Sequence, residues 1–175
     1  PSEMADLVAL AATKANAAVY QAARQDPSLS GMGTTLVCLL AQGMDAIVGN
    51  IGDSRAYLID EEGMRQVTHD HSLVAEMVRR GELSSREASR HPNKNVITRA
   101  LGVESNVSCD VFPLSLKKGQ YVLLCSDGLT NEVSEPEIYY EVFQSQAPER
   151  ACDTLIEIAR SRGGHDNITV VLASF

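Results

Sequence analysis

The sequence contains no tryptophan and only 5% of its residues are aromatic, so it offers few side chains on which nucleic-acid bases could stack. Positive charge is also scarce: 15 Lys and Arg residues stand against 23 Asp and Glu residues, and the net charge is −8. This balance disfavours attraction to nucleic acid or to an anionic membrane, and it suits a protein that binds divalent cations. We therefore expect no nucleic-acid partner.

Long apolar runs and closely spaced cysteines are missing as well. No segment approaches the ~20 apolar residues of a membrane-spanning helix, and the first residues lack the basic-then-apolar order of a signal peptide. The 4 cysteines lie far apart and form no CxxC pair, which disfavours zinc and disulfide sites. These absences predict a cytoplasmic protein without a membrane span and with reduced thiols.

The 175 residues, 44% of them hydrophobic, are enough for one domain with a core. Apolar residues recur at intervals of three and four between residues 3 and 25, which predicts a helix with one buried stripe. This stripe consists of Met4, Leu7, Val8, Ala11, Ala15, Ala18, Val19 and Ala22. Asp26-Pro27 should end the helix, because proline provides no N–H group.

Strand-like segments follow at residues 34–41, 46–52 and 55–60, separated by short turns. Because such connections leave no room for crossover helices, we predict that the three strands form an antiparallel meander. Residues 69–95 are polar, which predicts a surface segment or lid that packs loosely on the rest of the domain. It should contain a short helix from Leu73 to Arg80 and a helical turn beginning near Ser84.

The second half of the chain predicts a buried strand, two helices and a final strand. Residues 121–125 are a continuous apolar run, and an apolar strand is predicted over residues 167–175. Ser134 and Glu137 have the spacing of a capping box at the start of the first helix. Pro148 opens the second helix, which Gly163-Gly164 should end.

An aspartate lies at the edge of three apolar segments, beside Gly, Asn or Ser. The three residues are Asp53 in GDSR, Asp127 in SDG and Asp166 in HDN. Hard cations such as Mg²⁺ and Mn²⁺ prefer carboxylate oxygens, and two ions about 3.5–4 Å apart can activate a water for attack on phosphorus. Each aspartate alone also fits a turn or a helix N-cap, so both interpretations stay open at this point.

Six short motifs occur in order along the chain. They are Gly33-Thr34-Thr35, Gly52-Asp53-Ser54-Arg55, Asp70-His71-Ser72, Ile97 to Gly102, Leu124 to Leu129 and Asp166 to Val170. This series resembles that of the metal-dependent protein phosphatases of type 2C, in their short bacterial form. The resemblance implies an α+β fold in which two antiparallel sheets form a sandwich flanked by helices, in four layers α-β-β-α. It implies a single phosphatase domain over residues 1–175, with a flap at about residues 69–95.

The same resemblance implies an activity and its site. The family hydrolyses phosphoserine and phosphothreonine on proteins, the products of serine/threonine kinases, with Mn²⁺ or Mg²⁺. Asp127 and Asp166 resemble ligands of the first of two core ions, and Asp53 with Asp127 resembles the pair that holds a third ion. Supporting residues would be Asn167, Gly128 and Ser126, and flap residues facing the substrate would be Asp70, His71 and Ser72.

One part of the family pattern has no counterpart in this sequence. Members normally begin with strands that carry a phosphate-binding Arg and an Asp-Gly-x-x-Gly motif, whose Asp bridges both core metals. We therefore expect an N-terminally incomplete version of the fold: a fragment, a chain completed by strands of another chain, or a naturally shortened relative. A catalytically inactive domain that binds a phosphoprotein or a regulatory partner is the alternative function. A carboxylate-metal nuclease is a weaker one, which the net charge of −8 opposes.

The remaining charged residues near these motifs have expected structural roles. Arg55 should anchor its loop by a charge-assisted hydrogen bond, and Arg99 should be structural. His69, His71 and His91 are expected in surface or loop-anchoring roles, and His165 in a turn facing solvent.

Overall fold

The computed structural model describes residues 2–145 and 147–175. Its helices are α1 (Ser2–Gln25), α2 (Leu73–Arg79), α3 (Ser85–Ala88), α4 (Asp127–Thr130), α5 (Glu135–Gln144) and α6 (Pro148–Ser161), with one 3₁₀ turn at Pro27–Leu29. Its strands are β1 (Leu36–Gln42), β2 (Asp45–Ile51), β3 (Arg55–Asp60), β4 (Gly63–Gln66), β5 (Asp110–Ser115), β6 (Tyr121–Cys125) and β7 (Val170–Ser174). They form two antiparallel sheets with the strand orders β1-β2-β5 and β4-β3-β6-β7.

The two sheets pack face to face, and helices cover both outer faces. Successive strand residues point to opposite faces, so one set of β3 and β6 side chains lies between the sheets and the other faces α4, α5 and α6. The set between the sheets contains Ala56, Leu58, Val122 and Leu124; the set facing the helices contains Tyr57, Ile59, Leu123 and Cys125. Helix α1 covers the first sheet, where Ala12 packs near Ile51 and Leu101. The four-layer α-β-β-α sandwich is thus confirmed.

The predicted three-stranded meander is wrong. β1 and β2 do form an antiparallel hairpin, but β3 leaves their sheet and pairs with β4 and β6 in the other one. The chain changes sheets at Gly52, whose φ of +106° is a conformation that favours glycine. Short connections exclude a helical crossover, but they do not exclude a turn that passes from one sheet to the other.

The buried face of α1 differs from the predicted stripe. Leu7, Ala11 and Ala18 are exposed, whereas Ala12 and Asn16 are buried. Asn16 can occupy this face because its amide is satisfied: Nδ2 donates to the carbonyl oxygens of Glu104 and Ser105, and Oδ1 accepts from the Gly102 N–H. A polar residue with all its partners in the backbone does not carry the usual cost of burial.

Several local predictions are confirmed with small changes of boundary. Helices α2, α5 and α6 begin where expected, and Ser134 and Glu137 form the predicted capping box. The final strand is shorter than predicted, and β4 was not predicted. Ile97 and Leu101 form isolated bridges to Ser72 and Thr34.

None of the helices in the described part of the chain is long and apolar enough to cross a membrane. The cysteines, all four of which the structure describes, are free thiols.

Candidate active site

A cleft of about 760 Å³ opens where the β2–β3 turn, the end of β6 and the flap (residues 69–95) meet. Arg55 pairs with Cys125 in the register of β3 and β6, so Asp53 and Asp127 both leave the second sheet at the same edge. Both carboxylates line the cleft, and so do flap residues that include Asp70 and Lys94.

Asp53 lies half-buried in the turn between the two sheets. Burial and then the nearby negative charge of Asp127 raise its pKa to about 6. The turn is held on its inner side by a 2.7 Å hydrogen bond between the hydroxyl groups of Ser54 and Thr35. A Cβ atom on residue 52 would lie 2.5 Å from Thr35 Cγ2, which is a collision, so only glycine fits there.

Asp127 is the first residue of α4, directly after β6, and it is half-buried. Burial and the negative charge of Asp166 raise its pKa. Asn131 Nδ2 donates a 3.2 Å hydrogen bond to Asp127 Oδ2, and Lys94 Nζ donates to Asn131 Oδ1 at 3.4 Å. A short chain of contacts therefore joins the end of the flap to the Asp127 carboxylate.

Sequence reasoning did not identify Asn131 or Lys94. A signal for Asn131 was present, since residues four apart on a helix are neighbours and Asn131 follows Asp127 by four. For Lys94 the sequence offers no comparable signal, because its contact depends on how the flap folds back over α4.

The loop that carries Asp166 is attached to the start of α4. Ser126 Oγ donates to the Asn167 carbonyl oxygen at 2.9 Å and accepts from the Thr169 N–H at 3.0 Å. Gly128 packs against the same carbonyl oxygen so closely that a Cβ atom there would collide with it. Asp166 itself is exposed, and its Oδ1 accepts the Asn167 N–H. It does not line the cleft, and it acts on Asp127 through its charge.

Asp70, the second residue of the flap, binds Arg55. The Arg55 Nε atom lies 3.0 Å from both carboxylate oxygens, and its Nη2 atom donates to Asp70 Oδ2 at 2.7 Å. Arg55 thus anchors the turn by charge-assisted hydrogen bonds, as expected. Asp70 also accepts from Gln66 Nε2 at 2.9 Å.

The other two residues of the Asp70-His71-Ser72 motif are buried. Ser72 is the N-cap of α2, where its hydroxyl accepts from the Ala75 N–H, and it lines the cleft. His71 does not line the cleft; it lies behind the turn, bonded to Gly52 and Asp110. Arg99 donates to Asp110 and to a backbone carbonyl, which confirms its structural role.

The remaining histidines lie near the surface. His69 packs edge-on against Phe112, and His91 accepts a hydrogen bond from the Asn93 N–H. His165 is largely exposed and lies 2.9 Å from Glu132, in the predicted turn facing solvent.

Within residues 2–145 and 147–175, no group of three or more His, Cys, Asp and Glu side chains is placed so that it could hold a metal ion. Of the three aspartates predicted as ligands, the structure brings Asp53 and Asp127 together in the cleft and leaves Asp166 at its margin.

A family model described as Protein phosphatase 2C matches residues 6–168. The chain belongs to the protein phosphatase 2C family. A curated relative is "Serine/threonine phosphatase stp" of Listeria innocua, which is 45% identical over 150 residues, covering 86% of this chain and 60% of that protein.

Solved structures of the protein phosphatase 2C fold superimpose closely on this chain. Serine/threonine phosphatase Stp1 from Staphylococcus aureus gives a TM-score of 0.95 at 34% identity, covering 99% of this chain and 68% of that one. The catalytic domain of the serine threonine protein phosphatase PstP, in complex with 2 manganese ions, gives 0.82 at 35% identity, covering 91% and 66%. The chain spans about 60% of the length of the curated relatives that it matches.

Proposed function

We propose that this chain acts as a protein serine/threonine phosphatase, which hydrolyses phosphoserine and phosphothreonine on proteins with a metal-activated water. The observation that carries the proposal is the pair of half-buried carboxylates, Asp53 and Asp127, in one cleft. The charge of Asp127 raises the pKa of Asp53, so the two carboxylates lie close enough to repel each other.

The donor set fits a hard divalent cation. Carboxylate oxygens are the ligands that Mn²⁺ and Mg²⁺ prefer, and a cation would relieve the repulsion between Asp127 and its two acidic neighbours. We assign Asp127 and Asp166 to a core ion and Asp53 with Asp127 to a further ion. Bound there, a divalent ion supplies the charge that lowers the pKa of a water and stabilises phosphoryl oxygens.

Other residues of the chain would support these ligands and the substrate. Ser126 and Gly128 hold the Asn167 carbonyl, which fixes the loop carrying Asp166 against α4. We propose that the flap faces the phosphoprotein, since Asp70 and Ser72 line the cleft. His71 would support the flap from behind the turn that carries Asp53. The substrates would be products of a serine/threonine kinase in the cytoplasm, which the four free thiols favour.

Metal-dependent hydrolysis of p-nitrophenyl phosphate and of a phosphothreonine peptide tests the proposal. The chain stripped with EDTA should be inactive and should regain activity with Mn²⁺. Asp127→Ala and Asp166→Ala should lower the rate by more than about 100-fold, since even residues behind the ligands of a metal site contribute 10–100-fold. Asp153→Ala, an exposed aspartate on α6, is the matched control and should keep the wild-type rate. Activity that survives EDTA would exclude the mechanism.

The alternative is that the chain is a catalytically inactive phosphatase-like domain, whose function is to bind a phosphoprotein or a regulatory partner. One observation favours it: the described residues do not by themselves form a metal site of three or more ligands. In that case the chain, with Mn²⁺ present in the buffer, would bind the phosphothreonine peptide in a titration and release no phosphate. Turnover of the peptide by this chain would exclude the inactive alternative.

A further inference from the structure

The turn that carries Asp53 is held from both sides by two consecutive flap residues. Asp70 binds Arg55, two residues after Asp53, through three contacts of 2.7–3.0 Å. His71 binds Gly52, the residue just before Asp53. The position of Asp53 is therefore set by the base of the flap as well as by the strands.

His71 holds Gly52 through both of its polar backbone atoms. The Gly52 N–H donates to His71 Nδ1 at 2.9 Å, and the His71 N–H donates to the Gly52 carbonyl oxygen at 3.0 Å. These atoms belong to the two peptide units on either side of the Gly52 Cα. Because rotation of these units is what changes φ and ψ, the two bonds together fix Gly52 in its φ of +106°.

The ring of His71 has a defined orientation. A backbone N–H can only donate, so Nδ1 must be the acceptor, and the neutral imidazole then carries its proton on Nε2. That proton points to Asp110 Oδ2, 3.0 Å away, while Asp110 Oδ1 accepts from Arg99 at 2.6 Å. His71 is only 5% exposed, so loss of the ring acceptor would leave the Gly52 N–H without a partner in a buried place.

His71 also lies where the two ends of the flap meet. Its carbonyl oxygen accepts the Thr98 N–H at 2.8 Å, and the Leu73 N–H donates to the Val96 carbonyl oxygen at 2.9 Å. The same residue is thus bonded to the returning arm of the flap and to the turn that precedes Asp53.

We propose that His71 is a positioning residue: its Nδ1 atom fixes the Gly52–Asp53 backbone, and so directs the Asp53 carboxylate into the cleft and couples it to the flap. One part of this proposal, the effect of His71 on divalent metal binding at Asp53, rests on the proposed function. Its structural part, the control of the turn by Nδ1, can be tested without metal.

Two variants of His71 separate the two ring nitrogens. In His71→Asn the amide oxygen takes the place of Nδ1 and still accepts the Gly52 N–H, but the contact with Asp110 is lost. In His71→Gln the amide nitrogen takes the place of Nε2 and keeps the contact with Asp110, but the acceptor for Gly52 is lost. A role in packing alone would make both variants behave alike.

Amide hydrogen exchange of Gly52, followed by NMR in the metal-free chain, is the first measurement. The exchange should be about tenfold faster in His71→Gln, the effect of one lost hydrogen bond, and within about twofold of wild type in His71→Asn. Equal acceleration in both variants, or in neither, overturns the proposal. If His71→Gln does not fold, ¹⁵N NMR of the wild-type ring decides: protonation at Nε2 supports the proposal, and protonation at Nδ1 overturns it.

Mn²⁺ titration of the same proteins, with Asp53→Asn as reference, is the second measurement. Asp53→Asn identifies the part of the Mn²⁺ binding that depends on Asp53. The Mn²⁺ affinity of that site should be about tenfold weaker in His71→Gln and close to wild type in His71→Asn. Faster exchange with unchanged Mn²⁺ affinity would overturn the positioning of Asp53 and leave the phosphatase proposal intact. Absence of any Asp53-dependent Mn²⁺ binding in the wild type would refute the proposed metal role, and the exchange result alone would then decide the role of His71 in the turn.

Discussion

A carboxylate near another carboxylate, partly out of water, destabilises the fold that holds it there. Asp53 is in this position: burial and the charge of Asp127 raise its pKa to about 6. Its pKa in the unfolded chain is about 3.9. The folded state therefore binds the proton more tightly, and ionised Asp53 lowers the free energy of unfolding at every pH above about 6. Below about pH 4 both states are protonated and the effect vanishes.

The neutral variant Asp53→Asn should accordingly stabilise the metal-free chain at pH 7.5. We expect a gain of about 1 kcal/mol, which is less than the full pKa difference implies because solvent screens a half-exposed group. For a chain of this size the gain corresponds to a rise in Tm of about 2–4 °C. Thermal unfolding in EDTA, followed by circular dichroism at pH 7.5 and at pH 4, measures it.

Asp45→Asn is the matched control, since Asp45 is an exposed carboxylate at the start of β2, away from the cleft. It should change Tm by no more than about 1 °C at either pH. A drop in the stability of Asp53→Asn at pH 7.5, or a gain of equal size at pH 4, would contradict the electrostatic origin of the effect.

The sequence predicted the position of Asp127 but not the burial of His71. An apolar run that stops at an acidic residue implies a carboxylate at a strand end, and Asp127 lies there. His71 stands in a polar segment without periodicity. Its burial depends on partners 19 and 39 residues away in the sequence, Gly52 and Asp110. A local pattern contains no information on such contacts.

At the scale of elements, α4 and the loop before β7 behave as one unit. Gly128 is the second residue of α4, and the Asn167 carbonyl oxygen occupies the space that a side chain on Gly128 would need. Two opposing effects decide the outcome of Gly128→Ala. Alanine favours a helix over glycine by about 1 kcal/mol, whereas a collision in a packed place costs about 1–3 kcal/mol.

We expect the collision to dominate, because the clashing atom belongs to the backbone and cannot rotate away. Gly128→Ala should lower the free energy of unfolding by about 1–2 kcal/mol, and it should weaken Mn²⁺ binding by displacing the Asp166 loop from Asp127. Urea unfolding and a Mn²⁺ titration measure the two effects.

Arg86→Ala makes the matched comparison, because Arg86 is the exposed second residue of α3, another helix of four residues. This variant should stay within about 0.5 kcal/mol of wild type. If Gly128→Ala turned out to be more stable than wild type, helix propensity would have won and the close approach of Asn167 would have no energetic weight.

Helices and their ends could be predicted because their signals are local. The spacing of Ser134 and Glu137 predicted the capping box that the structure contains. The sheet to which a strand belongs is not a local property. Residues 56–59 are a continuous apolar run, which predicts a strand, but the run does not say that the strand pairs with β4 and β6 instead of β2. The strand was therefore predicted correctly and its partner strands were not.

At the scale of the whole molecule, the sandwich brings together two aspartates that lie 74 positions apart in the sequence. The antiparallel register of β3 and β6 places the preceding turn and the following helix at one edge of the second sheet. The repulsion between the Asp53 and Asp127 carboxylates destabilises the metal-free fold, and a bound divalent cation would remove that repulsion. Metal binding and folding stability should therefore be coupled through these residues.

This coupling predicts how the stabilisation by Mn²⁺ depends on pH. At a Mn²⁺ concentration about 100 times the Kd, the gain at pH 7.5 should be about 2.7 kcal/mol, a rise in Tm of about 5–10 °C. The pKa of Asp53 is about 6, so at pH 5 its carboxyl group is mostly protonated and the metal must displace that proton. The apparent affinity should then fall about tenfold, which removes about 1.4 kcal/mol of the gain.

Differential scanning fluorimetry with and without Mn²⁺ at each pH isolates the metal-induced shift from the general effect of acid. Asp53→Asn should show a smaller shift at pH 7.5, since it lacks one ligand, and a weaker dependence on pH. Some dependence should persist, because burial and the charge of Asp166 also raise the pKa of Asp127. A shift of equal size at pH 7.5 and pH 5 in the wild type would mean that Mn²⁺ does not bind at Asp53, since an ion bound there must compete with its proton.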